Sequence, residues 1–204
     1  MSAKFITLEG GEGVGKTTHI AAVCEFLERR GIAVLATREP GGTPVGEQIR
    51  GILLGNHAIA AETELLLLFA ARAQHVQDVI RPALGRGQWV VCDRFTDASF
   101  AYQGGGRGVD ERMIGALQDH VQRGLQPDLT LLLDAPVEVG LARAKRRGPA
   151  DRFEQETLAF FRRVRASYLD RAGRSPERMR VVDASGSPEQ VRAALVAELE
   201  RFCR

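Results

Sequence analysis

The chain has 204 residues, enough for one domain with a substantial core, and its 44% hydrophobic and 26% charged content is that of an ordinary globular protein. Its 28 basic and 26 acidic residues nearly cancel to +2, which gives no reason to expect a nucleic-acid or membrane surface. No apolar run approaches the ~20 residues that cross a bilayer, and "MSAKFITLEG" has neither the basic start nor the cleavage site of a secretory signal. Cys24, Cys92 and Cys203 are odd in number and far apart, and the four histidines are scattered. Both facts argue against a His/Cys metal site and for reduced thiols in a cytoplasmic protein.

Strand-like and helix-like segments alternate from the start. Lys4–Glu9 is a short β-branched and aromatic run ending at glycines, and Lys16 to about Arg30 is helical up to the breaker Gly31. Ala33–Thr37 predicts a second strand, followed by the breaker-rich "REPGGTP" and a short helix that carries Arg50. Glu62 to about Leu84 predicts a long helix, apolar on every side over Leu65–Ala71 and therefore expected to be buried from more than one direction. Gln88–Asp93 and Leu129–Asp134 are continuously apolar and end in Asp, as parallel strands covered on both faces do. Val137 to Arg147 and Glu154 to Ala172 read as helices separated by "GPA". "MRVVDA" makes a fifth strand, and the last helix opens on Ser187, Pro188 and Gln190, a capping box. The alternation predicts an α/β fold of one domain, residues 1–204: a five-stranded parallel sheet with helices on both faces and ligands at the carboxyl ends of the strands.

"GGEGVGKTT" stands at the first of those strand ends and opens a helix. Gly10, Gly15, Lys16 and Thr17 satisfy G-x-x-x-x-G-K-[ST], the phosphate loop of the P-loop NTPase-type three-layer fold. Gly10, Gly11, Glu12, Gly13, Val14, Gly15, Lys16, Thr17 and Thr18 are the expected nucleotide contacts. Backbone N–H groups would face phosphate oxygens, Lys16 would reach the β- and γ-phosphates, and Thr17 would ligate Mg²⁺. The site is therefore one for ATP or another nucleoside triphosphate. The guanine-reading N-K-x-D of GTPases is absent.

A second polar set lies at the other strand ends. "TREPGGT" holds Arg38 and Glu39; "DRFTDASFAYQGGGR" holds Asp93, Arg94, Ser99, Tyr102, Gln103 and Arg107. Phe69 and Arg72 are three apart on the long helix and share a face. Taken alone, Phe69 reads as core and Arg107 as either phosphate-binding or structural; a structural strand end for Asp93 and a loop-fixing ion pair of Arg38 with Glu39 are the alternatives to functional roles.

Jointly, "EGGEGVGKTT", "TREPGGT", "FAARAQH", "DRF…SFAYQGGGRG" and "PDLTLLLD" resemble the thymidylate kinases nearly end to end. The resemblance implies phosphorylation of dTMP to dTDP by ATP and Mg²⁺, and a homodimer. By the same resemblance Phe69 is the thymine platform, Arg72 bonds the base O4, and Ser99 and Gln103 complete the base edge. Tyr102 crowds the sugar 2′ carbon, Arg94 and Arg50 clamp the acceptor phosphate with Arg38 nearby, and Asp93 orders Mg²⁺. A guanidinium only donates, so it would accept a keto oxygen and reject an amino group. The rivals are another nucleoside monophosphate or deoxynucleoside kinase, and a regulatory nucleotide-binding protein.

Glu12 is a carboxylate inside a phosphate-binding loop. The resemblance implies that it faces the acceptor's 3′-hydroxyl instead of a phosphate. One branch of the family carries an arginine beside this acid; here the neighbour is Gly13. "RAKRRGPADR" then supplies the cation from a lid of about residues 143–153, as in the bacterial type. Arg147 is the expected transition-state arginine, Arg143 and Arg152 the expected phosphate or adenine contacts, and Lys145 and Arg146 a solvated face.

Overall fold

The computed structural model describes residues 2–55, 58–146 and 152–204. Its strands are β1 (Phe5–Gly10), β2 (Val34–Arg38), β3 (Trp89–Asp93), β4 (Leu129–Asp134) and β5 (Met179–Asp183), all parallel in the order β2-β3-β1-β4-β5. The three central strands are buried along nearly their whole length, which explains their unbroken apolar runs. The edge strands are more open, and Val181 of β5 is half exposed.

One face is covered by α1 (Lys16–Glu28) and α9 (Pro188–Phe202), which pack with the sheet around Leu8, Val91, Leu131 and Leu195. Ser187 caps α9 in the expected box with Gln190. The other face carries α4 (Arg81–Gly85), α5 (Thr96–Ser99) and α8 (Leu158–Arg174). Farther out lie α2 (Pro44–Leu54), α3 (Ala61–His75) and α6 (Glu111–Gln122).

Several boundaries differ from the periodicity. The long helix runs from Ala61 to Gly85 but passes through a π-helical turn at Val76–Ile80, and α5 likewise continues as a π-helical stretch, Phe100–Gly106. Such widened turns often accompany functional sites. The helix α7 (Val137–Ala144) stops before Arg147, and α8 begins only after Thr157, whose hydroxyl accepts from Phe160 N at 3.2 Å. Side-chain capping, invisible to apolar spacing, sets that start. The amphipathic α6 is an addition to the expected elements.

Leu65–Ala71 is buried from more than one direction, as expected, but not all round. Leu65, Phe69 and Ala71 are buried, whereas Leu66 is 49% exposed. The helix packs on α2, α6 and the π-helical stretch, and these cover only part of its circumference.

Register brings the loops together. Leu8 pairs with Asp93, Arg38 with Asp93 and Gly10 with Leu133, so the loops after β1, β2 and β3 leave the sheet at one edge.

Candidate active site

At that edge lies a cleft of about 800 Å³. One end is lined by Glu12, Gly13, Gly15, Lys16, Thr17, Thr18 and Arg143; the other by Arg38, Arg50, Leu68, Arg72, Ser99 and Gln103, with Asp93, Arg94 and Tyr102 also on its wall. Both polar sets thus open into a single space. Gly10, Gly11 and Val14 do not line it; they face a void of about 20 Å³ shared with β4, α7 and α8. Nine consecutive residues of a tight loop cannot all present to one side.

Lys16 is nearly buried and donates to the carbonyls of Gly10 at 3.1 Å and Gly11 at 2.7 Å, which hold it against its own loop. Burial, then the neighbouring Arg94, lowers its pKa to about 8. An anion at the loop would offset both effects.

Gly13 has φ +69, and a Cβ on it would lie 1.8 Å from the carbonyl oxygen of Gly140 in α7. Reciprocally, a Cβ on Gly140 would lie 2.3 Å from the carbonyl oxygen of Glu12. The loop and α7 touch backbone to backbone. No side chain fits at position 13, so an arginine beside Glu12 is sterically excluded in this packing.

Asp93 and Thr17 both line the cleft, and Asp93 Oδ1 is buried without a hydrogen-bond partner among the described residues. An orphaned carboxylate oxygen and a hydroxyl are hard donors that suit Mg²⁺. Among the described residues no cluster of three or more His, Cys, Asp or Glu could hold a metal, so phosphate oxygens and water would have to complete the shell.

Arg94 is the most constrained residue of the wall. Its φ is +67, in the left-handed region that a non-glycine residue rarely adopts without a local reason. Nη1 donates to Gly10 O at 2.8 Å and to Tyr168 Oη at 3.3 Å; Nη2 donates to Glu12 Oε1 at 2.7 Å and to Tyr102 Oη at 3.1 Å. Tyr102 in turn donates to Glu12 at 2.7 Å, and Tyr168 donates to Glu9 at 2.7 Å. A chain of bonds therefore runs from buried Glu9 through Arg94 to Glu12. Burial, then the neighbouring Asp97 carboxylate, pushes Glu9 up to about 7 despite Arg94.

Arg72 is held from the opposite side. Its Nε donates to Glu39 at 2.7 Å and its Nη1 to Ser99 Oγ at 3.1 Å. Glu39 also accepts from His75 Nδ1 at 2.9 Å, and His75 Nε2 bonds Thr37 Oγ1 at 2.7 Å. Two buried carboxylate oxygens thereby fix a buried guanidinium and a buried imidazole.

Other expected contact residues are engaged within the protein itself. Phe69 is 2% exposed, packs with Leu65, Phe100 and Ile114, and does not line the cleft; the Arg72 guanidinium lies 4.6 Å over its ring. It sits on the core side of α3, so its ring supports Arg72 by a cation–π contact. The ion pair expected between Arg38 and Glu39 does not form: Arg38 pairs with Glu47 at 2.9 Å, and Glu39 with Arg72. Arg50 donates to Pro40 O at 3.0 Å.

Arg143 lines the cleft, but its donors go to the carbonyls of Ala184, Ser185 and Gly186, stapling the loop after β5. Arg152 does not line it; it donates to Leu53 O at 2.9 Å and to Glu64, on the helices α2 and α3 of the acceptor end. Arg107 bonds Glu64 and Glu156. Arg147 lies outside the described residues.

Sequence reasoning missed Glu9, Glu64, Asp97 and Tyr168. Asp97 takes four guanidinium bonds from Arg171 and Arg178, and these hold it below the ordinary carboxylate range although burial acts to raise it. Glu64 carried one signal, an acid directly before the apolar run "LLLLF". Tyr168 carried none, since its partners are more than seventy residues away.

A phosphate loop and a polar pocket sharing one cleft, on a parallel sheet ordered 2-3-1-4-5, define a phosphate-loop kinase of a small nucleotide acceptor. The family profile described as thymidylate kinase matches residues 8–195. The chain is 60% identical over 200 residues to the thymidylate kinase of Chromohalobacter salexigens, covering 96% of this chain and 94% of that one. It is 56% identical to that of Pseudomonas putida over the full length of both. A crystal structure of thymidylate kinase from Ehrlichia chaffeensis superposes with TM-score 0.79 at 31% identity, covering all of both chains. The chain belongs to the thymidylate kinase family, and its reaction is phosphorylation of dTMP.

Proposed function

We propose that the chain, residues 1–204, works in the cytoplasm as one catalytic unit that transfers the γ-phosphoryl group of ATP in line to dTMP. The observation that carries this reading is the shared cleft, with Lys16 and Thr17 at one end and Arg72, Ser99 and Gln103 at the other. Two nucleotides entering from opposite ends would meet beside Glu12, Asp93 and Arg94, and positioning of this kind supplies much of the rate.

The phosphate loop grips the donor through backbone N–H groups, and Lys16 leaves its carbonyl partners for phosphate oxygens. Thr17 and Asp93 would hold Mg²⁺, which neutralises charge on the transferring group when bound. Arg72 donates to the base O4, Ser99 holds that guanidinium, and Gln103 completes the base edge. Tyr102 closes the sugar side. Glu12 accepts from the 3′-hydroxyl, and Arg94 and Arg50, with Arg38, turn to the acceptor phosphate. Arg147, within the lid of about residues 143–153, meets the transferring phosphoryl group. Steric exclusion of any side chain at Gly13 supports an arginine from outside the loop. A coupled ADP-release assay with Mg²⁺ tests the reading: dTMP should drive release well above dCMP, dGMP and thymidine, and an equal response to all four would end it.

We also propose a two-fold dimer through α2 and α3. Val45, Ile52 and Leu66 are each about half exposed on these adjoining helices, an apolar strip that a second copy would cover. Leu66→Asp should halve the mass in light scattering; an unchanged mass argues against this face.

A further inference from the structure

We propose that Glu64 is a positioning residue for acceptor selection: its carboxylate orients the Gln103 carboxamide so that an oxygen, and not an amino group, meets the base. The proposal rests on the reading that the acceptor base lies at the Arg72 end of the cleft.

Glu64 is completely buried near the start of α3. Its Oε1 accepts from Gln103 Nε2 at 2.7 Å. Arg107 donates to both oxygens, at 3.3 Å from Nε and 3.2 Å from Nη2, and Arg152 donates to Oε2. Two guanidinium groups offset the burial of one carboxylate, which would otherwise be strongly unfavourable. A carboxylate flanked in this way only accepts. The –NH₂ of Gln103 must therefore point at Glu64, and its oxygen must point away.

That oxygen has a particular status. Gln103 lines the cleft, and its Oε1 is buried with no partner among the described residues. A buried acceptor left unpaired in the protein invites a donor from the ligand. Thymine and uracil carry an N3–H donor beside the O4 that Arg72 would take; cytosine carries an unprotonated N3 and an amino group. The locked amide matches the first pattern and opposes the second. An amide free to rotate could present –NH₂ and accommodate either.

Arg152 at the end of the lid bonds Glu64 directly, and Glu156 just beyond it does so through Arg107, so one carboxylate joins this segment to the base pocket. A plain structural role would be confined to that link. The two roles separate in a double-mutant cycle on the ratio of kcat/KM for dTMP over dCMP, using Glu64→Gln, Gln103→Ala and the double variant. A neutral carboxamide at 64 can offer –NH₂ to Gln103 and release its orientation. Glu64→Gln should lower the ratio about 10-fold with Gln103 present and less than about 2-fold in the Gln103→Ala background, because the effect passes through that side chain. The KM for ATP should hold.

A fall of equal size in both backgrounds, or none with Gln103 present, overturns the proposal while base reading by Gln103 stands. If Gln103→Ala itself leaves the ratio unchanged, base reading by Gln103 fails and the proposal falls with it. Should Glu64→Gln not fold, Glu64→Asp serves in the same cycle. It keeps the charge for the long arginines but withdraws the carboxylate from Gln103 by about 1.5 Å, one C–C bond.

Discussion

The two ends of the cleft are built on different principles. At the phosphate-loop end the chain grips with its backbone: glycines, a helix start and one lysine resting on carbonyls of its own loop. At the other end the cleft is lined by arginines, and four of them have protein partners. Arg94 lies on Glu12, Arg72 on Glu39, Arg38 on Glu47 and Arg50 on the Pro40 carbonyl. Backbone donors are held by the fold itself and need no further support. Long side chains lose rotamer freedom when fixed, so a recognition site made of them gains from protein acceptors that orient them in advance.

The largest effect expected concerns the cation proposed for the transferring phosphoryl group. Arg147→Ala should lower kcat on the order of 10³-fold with little change in KM for dTMP, as for a cation used only in the transition state. Single-turnover kinetics with varied dTMP decides it; a raised KM with turnover intact would make Arg147 a binding residue.

Next in size is Arg72, proposed above to read the base. Arg72→Met keeps bulk over Phe69 but removes every donor, and should narrow the preference for dTMP over dCMP by roughly 10- to 100-fold. It also strands Glu39 in the core beside His75, a loss of about 3–5 kcal/mol when one partner of a buried pair is removed. Specificity and denaturant midpoint should therefore fall together. A variant that loses stability but keeps its preference would leave Arg72 structural.

The smallest effect concerns Glu9, beneath both ends. An acid whose pKa is raised on folding, here to about 7, binds its proton more tightly in the native state than in the unfolded chain. Stability then declines as pH rises from the ordinary carboxylate range through neutrality. Glu9→Gln removes the charge, keeps an oxygen for Phe95 N–H and turns an –NH₂ to Tyr168 Oη, which can accept it, and should flatten that decline by a few degrees of Tm. Thermal scans across this range that fall as steeply as the parent would count against a charged Glu9 as the source.

Legibility follows the same division. The phosphate loop can be read because its function depends on adjacent residues: Gly10 to Thr18 form the loop whatever else the chain does. The parallel sheet can be read from runs such as "WVVCD" and "LTLLLD", whose continuous apolarity suits a short strand covered on both faces. The acceptor residues are named by their resemblance to a known pattern, which says nothing of their partners. Adjacency pairs Glu39 with Arg38, yet Glu39 turns to Arg72, thirty-three residues on. The resemblance names Phe69 as a base platform but says nothing of the Arg72 guanidinium that lies 4.6 Å over its ring.

What the sequence by itself determined is whatever depends on neighbours along the chain: the alternation of strand and helix, the phosphate loop, the cap of α9. Only the tertiary structure decided which acid holds which arginine, why no side chain can stand at position 13, and that the Gln103 oxygen is buried without a partner among the described residues. A buried charge takes the partner that packing brings to it, and packing joins residues that sequence separation does not relate.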